Sequence, residues 1–289
     1  MPPDPLAPLL NLPGVPQAID RTRSAVDALL GNRVLRRRSA DVSAESALRG
    51  AWASAWLAGR ELPLDDVRSG RAADEPVVQG ALRAQSAIGS LADTWTRAPR
   101  QSLAKLHLLA AADVVDATGL GRPRPGSAER LDILAQVLAE TRAPALVVAA
   151  IVHGELLGPD AFPPVSGLVA RAAVRLTLVE RGLDPKSLVV VEAGHRELRP
   201  AYDAALEAYR TGTPAGIGAW VTHCADALVV GAQEARAICE AMVRGKFLGA
   251  SGRMRARANS DRSAGRRRRS DCGAVVVART TTGYQACPA

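Results

Sequence analysis

The sequence predicts an all-α protein, and three observations support that prediction. Hydrophobic residues make up 47% of the 289 positions, so the chain can bury a sizeable core. Only 3% of the residues are aromatic, so Ala, Leu and Val must build that core, and Ala and Leu are strong helix formers. The apolar residues also recur at helical spacing rather than in strict alternation.

The predicted helices follow a Pro-rich first segment of about fifteen residues that is expected to be extended. They cover approximately residues 17–30, 34–58, 76–95, 102–117, 127–138, 144–157, 167–181, 196–209 and 214–242. Pro144 suits a first helical position, because the amide hydrogen it lacks would have no partner there. Gly182 suits a helix end, since glycine readily adopts the left-handed conformation that closes helices. Residues 187–192 are predicted to form either a short strand or an extended connector.

The positive charge is concentrated at the C-terminal end. The formal net charge is +8, but eleven basic and two acidic residues lie from Arg244 onward, which leaves 26 basic and 27 acidic residues before it. The folded part is therefore not predicted to bind nucleic acid. Residues 248–289 have the composition of a disordered basic tail, with four consecutive arginines from Arg266. Three interpretations remain open: an arm that binds nucleic acid or an acidic partner, a solvated tail, or the translation of a frameshifted gene.

The sequence gives no indication of export or of a membrane span. The N-terminus lacks the basic and apolar regions of a signal peptide, so a cytoplasmic protein is expected. The longest apolar run, residues 143–152, is about half the length that a membrane-spanning helix needs. The four cysteines have neither Cys-x-x-Cys spacing nor a histidine at metal-binding spacing, which indicates ordinary buried thiols.

One stretch carries most of the chemical information. It begins at His153 and reads HGELLGPDAFPPVSGLVAR. Its spacing resembles the signature of the Fic (Fido) family, HPFx(D/E)GNG(R/K)xxR, whose active members transfer AMP from ATP to protein hydroxyls. Phe162 aligns with the aromatic anchor, and Gly167 and Arg171 align with the last glycine and the last arginine. His153 stands seven residues before Asp160, where family members often carry a histidine.

This frame replaces most of the reactive side chains. The resemblance places Asp160 at the position of the catalytic histidine and Pro164 at the acidic position that holds Mg²⁺. Ser166 replaces an asparagine, and Leu168 replaces the first phosphate-binding arginine or lysine. A carboxylate is a weaker base than imidazole at neutral pH, and loss of a general base alone costs about 10²–10⁴ in rate. The resemblance implies ATP and Mg²⁺ as cofactors, but the ligands for both are depleted.

Part of an anion site is nevertheless predicted to remain. Ser166 suits a helix N-cap, and Gly167 would open a helix whose N-terminal amides favour an anion. Arg171 follows one turn later. These three residues predict a weakened nucleotide or phosphate site. The alternative is a plain helix cap with Arg171 in a salt bridge.

The resemblance extends from about residue 45 to residue 244. Many Fic proteins carry an inhibitory helix with the pattern (S/T)xxxE(G/N), whose glutamate pairs with the last motif arginine. The segment from Ser54 to Gly59 fits this spacing, but Ala58 stands at the glutamate position. The predicted division is an N-terminal helical region at residues 1–95, a Fic-like core at residues 96–247 and the tail. Residues 169–186 also look similar to a group of actinobacterial Fic-like proteins.

The other histidines and the tryptophans have ordinary interpretations. His107 and His153 lie on apolar helices and are expected to be buried and hydrogen-bonded. His195, expected in a loop, and His223 have no convincing metal-ligand spacing. The four tryptophans are expected to pack helices rather than to form a binding cage.

Three functions remain open at this stage. The leading one is a degenerate Fic-like pseudoenzyme that acts on an unknown target protein by interaction or by nucleotide sensing. The alternative is an active protein AMP- or nucleotidyl-transferase that uses Asp160. The third is a nucleic-acid-associated factor that acts through the Arg-rich tail.

Overall fold

Helices form all the regular secondary structure of residues 3–245, the part of the chain that the computed structural model describes. The all-α prediction is therefore confirmed. Residues Met1–Arg244 form one compact unit. The predicted boundary near residue 95 stays a prediction, and the predicted tail at residues 248–289 lies outside the described residues.

A short 3₁₀ segment, Ala7–Asn11, precedes twelve α-helices. They are α1 Val15–Leu30, α2 Leu35–Leu57, α3 Leu64–Ser69, α4 Pro76–Ser86, α5 Ile88–Trp95, α6 Pro99–Ala111, α7 Ala128–Glu140, α8 Ala145–Leu157, α9 Ser166–Glu180, α10 Val191–Glu197, α11 Arg199–Arg210 and α12 Pro214–Val243.

The first segment, predicted to be extended, contains the 3₁₀ helix Ala7–Asn11, and the helix predicted over residues 102–117 ends at Ala111. Three further elements differ from the sequence prediction. The long helix predicted over residues 76–95 is broken at Ala87 into α4 and α5, and the break lets Ile88 and Trp95 both enter the core. The strand alternative for residues 187–192 is wrong: the connector is irregular because the Asp184 carboxylate accepts the amides that follow it, and α10 begins at Val191. The short helix α3 was not predicted.

The antiparallel helices α8 and α9 form the centre of the fold. Apolar residues cover almost every side of α8, and most side chains of both helices are buried. Helix α12 packs against α1, α8, α10 and α11, while α2 packs against α4 and α10. The turn between α8 and α9 carries the motif, so the motif loop is anchored on the best-packed pair of helices.

A buried ion pair ties α2, α9 and α10 together. The guanidinium of Arg175 on α9 lies 3.4 Å from the carboxylate of Glu192 on α10, and both side chains are inaccessible. Gln85 donates to the second carboxylate oxygen at 2.5 Å. A Cβ at Gly50 of α2 would lie 2.5 Å from Arg175 Nη1 and 2.9 Å from Glu192 Oε2. A glycine is therefore needed where α2 crosses this pair.

Helix α12 is the one described helix that is long and apolar enough, by length and composition, to cross a membrane. Its most apolar window is 61% buried against other helices of the same unit. Packing inside the fold is thus a sufficient reason for its composition.

Candidate functional site

The motif loop occupies residues 158–165, between the end of α8 and the start of α9. The Phe162 ring is buried, and its centroid lies 5.1 Å from that of His107. His107 accepts the Gly121 amide at 3.1 Å through Nδ1, which confirms its prediction as a buried, hydrogen-bonded histidine. The aromatic side chain therefore fixes the loop to α6 and to the segment that follows it.

Asp160 lies in the left-handed region with a φ of 53°, and its side chain is 46% exposed. Its carboxylate is ion-paired with the guanidinium of Arg124. The Arg124 amide also donates to the Ala161 carbonyl at 2.8 Å, so the loop before α7 lies along the motif loop. The group at the general-base position is thus already occupied by a cation of the same chain.

Ser166 does not cap α9. Val165 is the N-cap residue, no side chain caps this helix, and Ser166 is its first residue. The Ser166 hydroxyl instead accepts the Phe162 amide at 2.7 Å. The N-cap expectation for Ser166 was wrong because the buried amide of Phe162 competes for the hydroxyl. The N-terminus of α9 is left without a side-chain acceptor.

Arg171 is 3% exposed, and it interacts with Ser54 of α2 and with the Tyr202 hydroxyl of α11. Its Nε donates to Ser54 Oγ at 2.9 Å, and its Nη2 donates to the Ser54 carbonyl at 3.0 Å. A Cβ on Gly167 would lie only 2.9 to 3.3 Å from the guanidinium, so the cation covers the first turn of α9. Within residues 3–245 no carboxylate lies within 4.0 Å of it. The salt-bridge alternative was therefore wrong.

Helix α2 thus contacts the last motif arginine without the glutamate that the inhibitory pattern of the family would supply. Ser54 opens that pattern, and its hydroxyl and carbonyl both accept from Arg171. Ala58, at the glutamate position, is the C-cap of α2 and carries no acceptor side chain. The restraint is a pair of hydrogen bonds to a neutral residue rather than an ion pair.

A buried cluster of three histidines and a tyrosine lies beside Arg171. His153 Nε2 is 2.8 Å from the Tyr202 hydroxyl, and His195 Nδ1 is 3.1 Å from His223 Nε2. The prediction that His153 is buried and hydrogen-bonded is confirmed. His195 belongs to α10 rather than to a loop, and the pairing of His195 with His223 was not predicted. These residues lie on four different helices, so no local spacing in the sequence predicts the cluster.

Burial sets the protonation of this cluster. It lowers the pKa of His153 and of His195 well below 6.5, and the nearby charge of Arg171 lowers both further. Burial also lowers the pKa of His223 to about 4 and raises the pKa of Tyr202 to about 12. Arg171 is therefore surrounded by neutral dipoles rather than by a counter-charge. Among the described residues no three His, Cys, Asp or Glu side chains are arranged to hold a metal ion.

The architecture is that of solved Fic proteins. A Fic family protein from Desulfovibrio desulfuricans G20 superposes with a TM-score of 0.63 and 21% identity, over 76% of this chain and 74% of that chain. The chain has the Fic fold. Fic-1 (residues 134–508) from C. elegans superposes with a TM-score of 0.59 and 17% identity, over 77% and 73% of the two chains. No protein-family model and no curated protein matches the sequence.

Within this Fic fold, several positions of the motif contact other residues of the same chain. Leu168 is buried in the core, and Ser166 is bonded back to the loop. Asp160 is paired with Arg124. The N-terminus of α9 has no side-chain cap, and the Arg171 guanidinium lies over its first turn.

Proposed function

We propose that this chain is a cytoplasmic Fic-fold protein that no longer transfers AMP and that recognises a nucleotide at the N-terminus of α9. Arg171 is the cation that contacts the phosphates, and α2 restrains it through Ser54. In this role the protein senses nucleotide and passes the signal to a target protein by contact. The observation that carries the proposal is the buried Arg171 guanidinium without a carboxylate.

A buried guanidinium is costly when no anion accompanies it. Isolated charges lose several kcal/mol of solvation on burial, so buried arginines are usually paired. Arg171 has neutral acceptors on Ser54, and its charge lies against the positive end of α9. A phosphate group would satisfy both the guanidinium and the helix amides. The arrangement therefore supports a retained phosphate site rather than a purely structural arginine.

The loop geometry supports a loss of transfer. A general base must be free to accept the proton of the attacking hydroxyl, and Asp160 already accepts from Arg124. Leu168, at the position of a phosphate-binding cation, points its side chain into the core and offers no donor. Pro164 offers no carboxylate for Mg²⁺ and no amide hydrogen for a phosphate. The motif loop therefore offers no free general base, no phosphate-binding cation at position 168 and no carboxylate ligand for Mg²⁺ at position 164.

The contact between Ser54 of α2 and Arg171 suggests how nucleotide binding would change the structure. The Ser54 hydroxyl and a nucleotide phosphate would compete for the Arg171 guanidinium. Binding of nucleotide would release α2 from α9 at this point, and α2 would then be the element that changes. Such a change would alter the surface offered to a target protein.

The proposal is tested by calorimetric titration of the full chain with ATP, with and without Mg²⁺. We expect binding that falls about tenfold or more in Arg171→Ala, because a charge-assisted bond to phosphate contributes about 1.5–3 kcal/mol. Ser54→Ala should bind several-fold more tightly, since the restraint is weakened. Ser102→Ala is the matched control, because this buried hydroxyl has no hydrogen-bond partner. Mg²⁺ should change little. Absence of ATP binding, or equal binding by Arg171→Ala, would refute the proposal.

A labelling experiment separates this proposal from an active transferase. The chain is incubated with ATP labelled at the α-phosphate and with cell extract as the source of hydroxyl acceptors. We expect no protein labelling above that of Asp160→Ala. Labelling that disappears in Asp160→Ala would establish transfer and overturn the proposal.

A further inference from the structure

A cavity of about 540 Å³ lies at the end of the α8 and α9 pair opposite the motif loop. Its walls come from α1, from the N-terminus of α8 and from the residues that follow α9. Helix α8 has 13 residues, so its two ends are about 20 Å apart. The cavity is therefore separate from the motif loop at the C-terminal end of α8. Its volume is in the range of small-molecule sites.

The cavity carries an excess of positive charge. Arg23, Arg142 and Arg181 line it, against one carboxylate, that of Asp27. Arg181 is fixed, because it donates to the carbonyls at the end of α7 at 2.7 and 2.8 Å. Arg23 and Arg142 are exposed, and neither forms an ion pair with a carboxylate in residues 3–245. Two exposed arginines without an ion pair in that part of the chain therefore face the same space as Arg181, which is ion-paired with Glu180 at 3.1 Å.

The start of α8 adds a second attraction for an anion. Pro144 is the N-cap, and no side chain caps the helix. Ala145 and Leu146 lie in the first turn of α8, where no helical carbonyl one turn earlier is present to accept their amides. These amides therefore have no partner within the helix. Both residues line the cavity. A helix N-terminus of this kind favours a negatively charged group.

An unpartnered hydroxyl in the wall points independently to a ligand. Thr22 of α1 is 1% exposed and lines the cavity, and its Oγ1 has no hydrogen-bond partner. A buried hydroxyl in a helix is almost always bonded, in the simplest case to the carbonyl one turn before it. The Thr22 hydroxyl is thus an unused donor and acceptor. It lies in the same cavity wall as Arg23, Arg142 and the uncapped N-terminus of α8.

We propose that this cavity binds a small phosphate-bearing molecule with an apolar body. The phosphate contacts Arg142 and Arg23 at the N-terminus of α8, and the Thr22 hydroxyl donates to it. The apolar body packs on the side chains of Ile19, Leu30 and Leu183, which form the remaining wall. This site uses none of the residues of the motif loop.

The proposal is tested by calorimetric titration of the full chain with inorganic phosphate and with phenyl phosphate. Phenyl phosphate should bind more tightly than phosphate, because its ring reaches the apolar wall. Arg142→Gln should lower the affinity for phenyl phosphate about tenfold, because it removes one charge-assisted hydrogen bond. Thr22→Val should also weaken it while leaving the fold intact, since the hydroxyl has no protein partner to lose.

Two variants serve as controls. Arg60→Gln removes one exposed arginine outside the cavity and should leave the affinity unchanged. Arg171→Ala should also leave it unchanged, which separates this site from the one at α9. No binding of either phosphate at millimolar concentration would overturn the proposal. Equal weakening by Arg60→Gln and Arg142→Gln, or weakening by Arg171→Ala alone, would overturn it as well.

Discussion

Acidification below pH 6.5 should destabilise this chain strongly, because three histidines are held neutral in its core. An unfolded histidine ionises near pH 6.5, whereas burial lowers the pKa of His153, His195 and His223 in the folded state. The folded state therefore binds fewer protons than the unfolded state below pH 6.5. The contribution of these histidines to the free energy of unfolding is fully present above pH 6.5. It is lost as the pH falls toward their folded pKa values.

The size of the effect follows from the same shifts. Each such histidine lowers the free energy of unfolding by about 1.4 kcal/mol per pH unit while the pH lies between its two pKa values. For His223 the window runs from 6.5 down to about 4, even though Asp226 and Asp203 raise its pKa against the effect of burial. Three histidines together give about 4 kcal/mol per pH unit. A domain with the usual stability of about 5–15 kcal/mol would lose much of it by pH 5.5.

Urea unfolding followed by circular dichroism at 222 nm measures this dependence directly. The free energy of unfolding is determined at pH 8.0, 7.0, 6.0 and 5.5 for the full chain and for His223→Gln. The variant should lose about one third of the slope that His153, His195 and His223 contribute together. His107 is the fourth histidine of the sequence and adds in the same direction, because burial lowers its pKa too. A free energy that is the same at pH 8.0 and 5.5 would refute the reasoning, and so would an unchanged slope in His223→Gln.

Three glycines give further predictions, each checked by the thermal midpoint. Gly50→Ala should destabilise the fold by about 3–5 kcal/mol, because its Cβ would lie 2.5 Å from Arg175 and would separate the buried ion pair. Gly89→Ala in α5 is the matched control: nothing lies within 4 Å of its Cβ, so a gain of about 0.5–1 kcal/mol is expected. Gly154→Ala should cost about 1–3 kcal/mol, because its Cβ would lie 2.4 to 2.8 Å from the Tyr209 ring. Equal midpoints for Gly50→Ala and Gly89→Ala would contradict the packing argument.

The sequence was sufficient to predict the long helices, and it was insufficient to predict their breaks and the short helices α3 and α10. Apolar periodicity located the long helices because each buries one or more faces, and glycine marked the end of α9 near Gly182. The break at Ala87 was missed because no glycine or proline marks it. Trp95 is buried and donates to Thr177 of α9 at 3.1 Å, and this tertiary contact depends on the direction of α5. Local propensity contains no information about such a contact.

The loop and the helix that carry the motif were predicted, whereas the contacts of the motif residues were not. Phe162 lies in the loop and Arg171 in α9, as the local pattern predicted. The partners that now define the site are distant in sequence: Arg124 is 36 residues from Asp160, and Ser54 is 117 residues from Arg171. A prediction of these pairs requires the packing of α2 and of the loop before α7. Patterns within one segment cannot supply that packing.

We predict from these contacts that introducing the side chains of the family motif would not by itself produce transfer activity. Ser166→Asn would remove the hydroxyl that holds the Phe162 amide. Leu168→Arg would place a cation in the core, where an unpaired charge costs several kcal/mol. Asp160→His would leave the Arg124 guanidinium without its carboxylate beside the new base. Each of these introduced side chains would therefore lack the space or the partner that it needs in this loop.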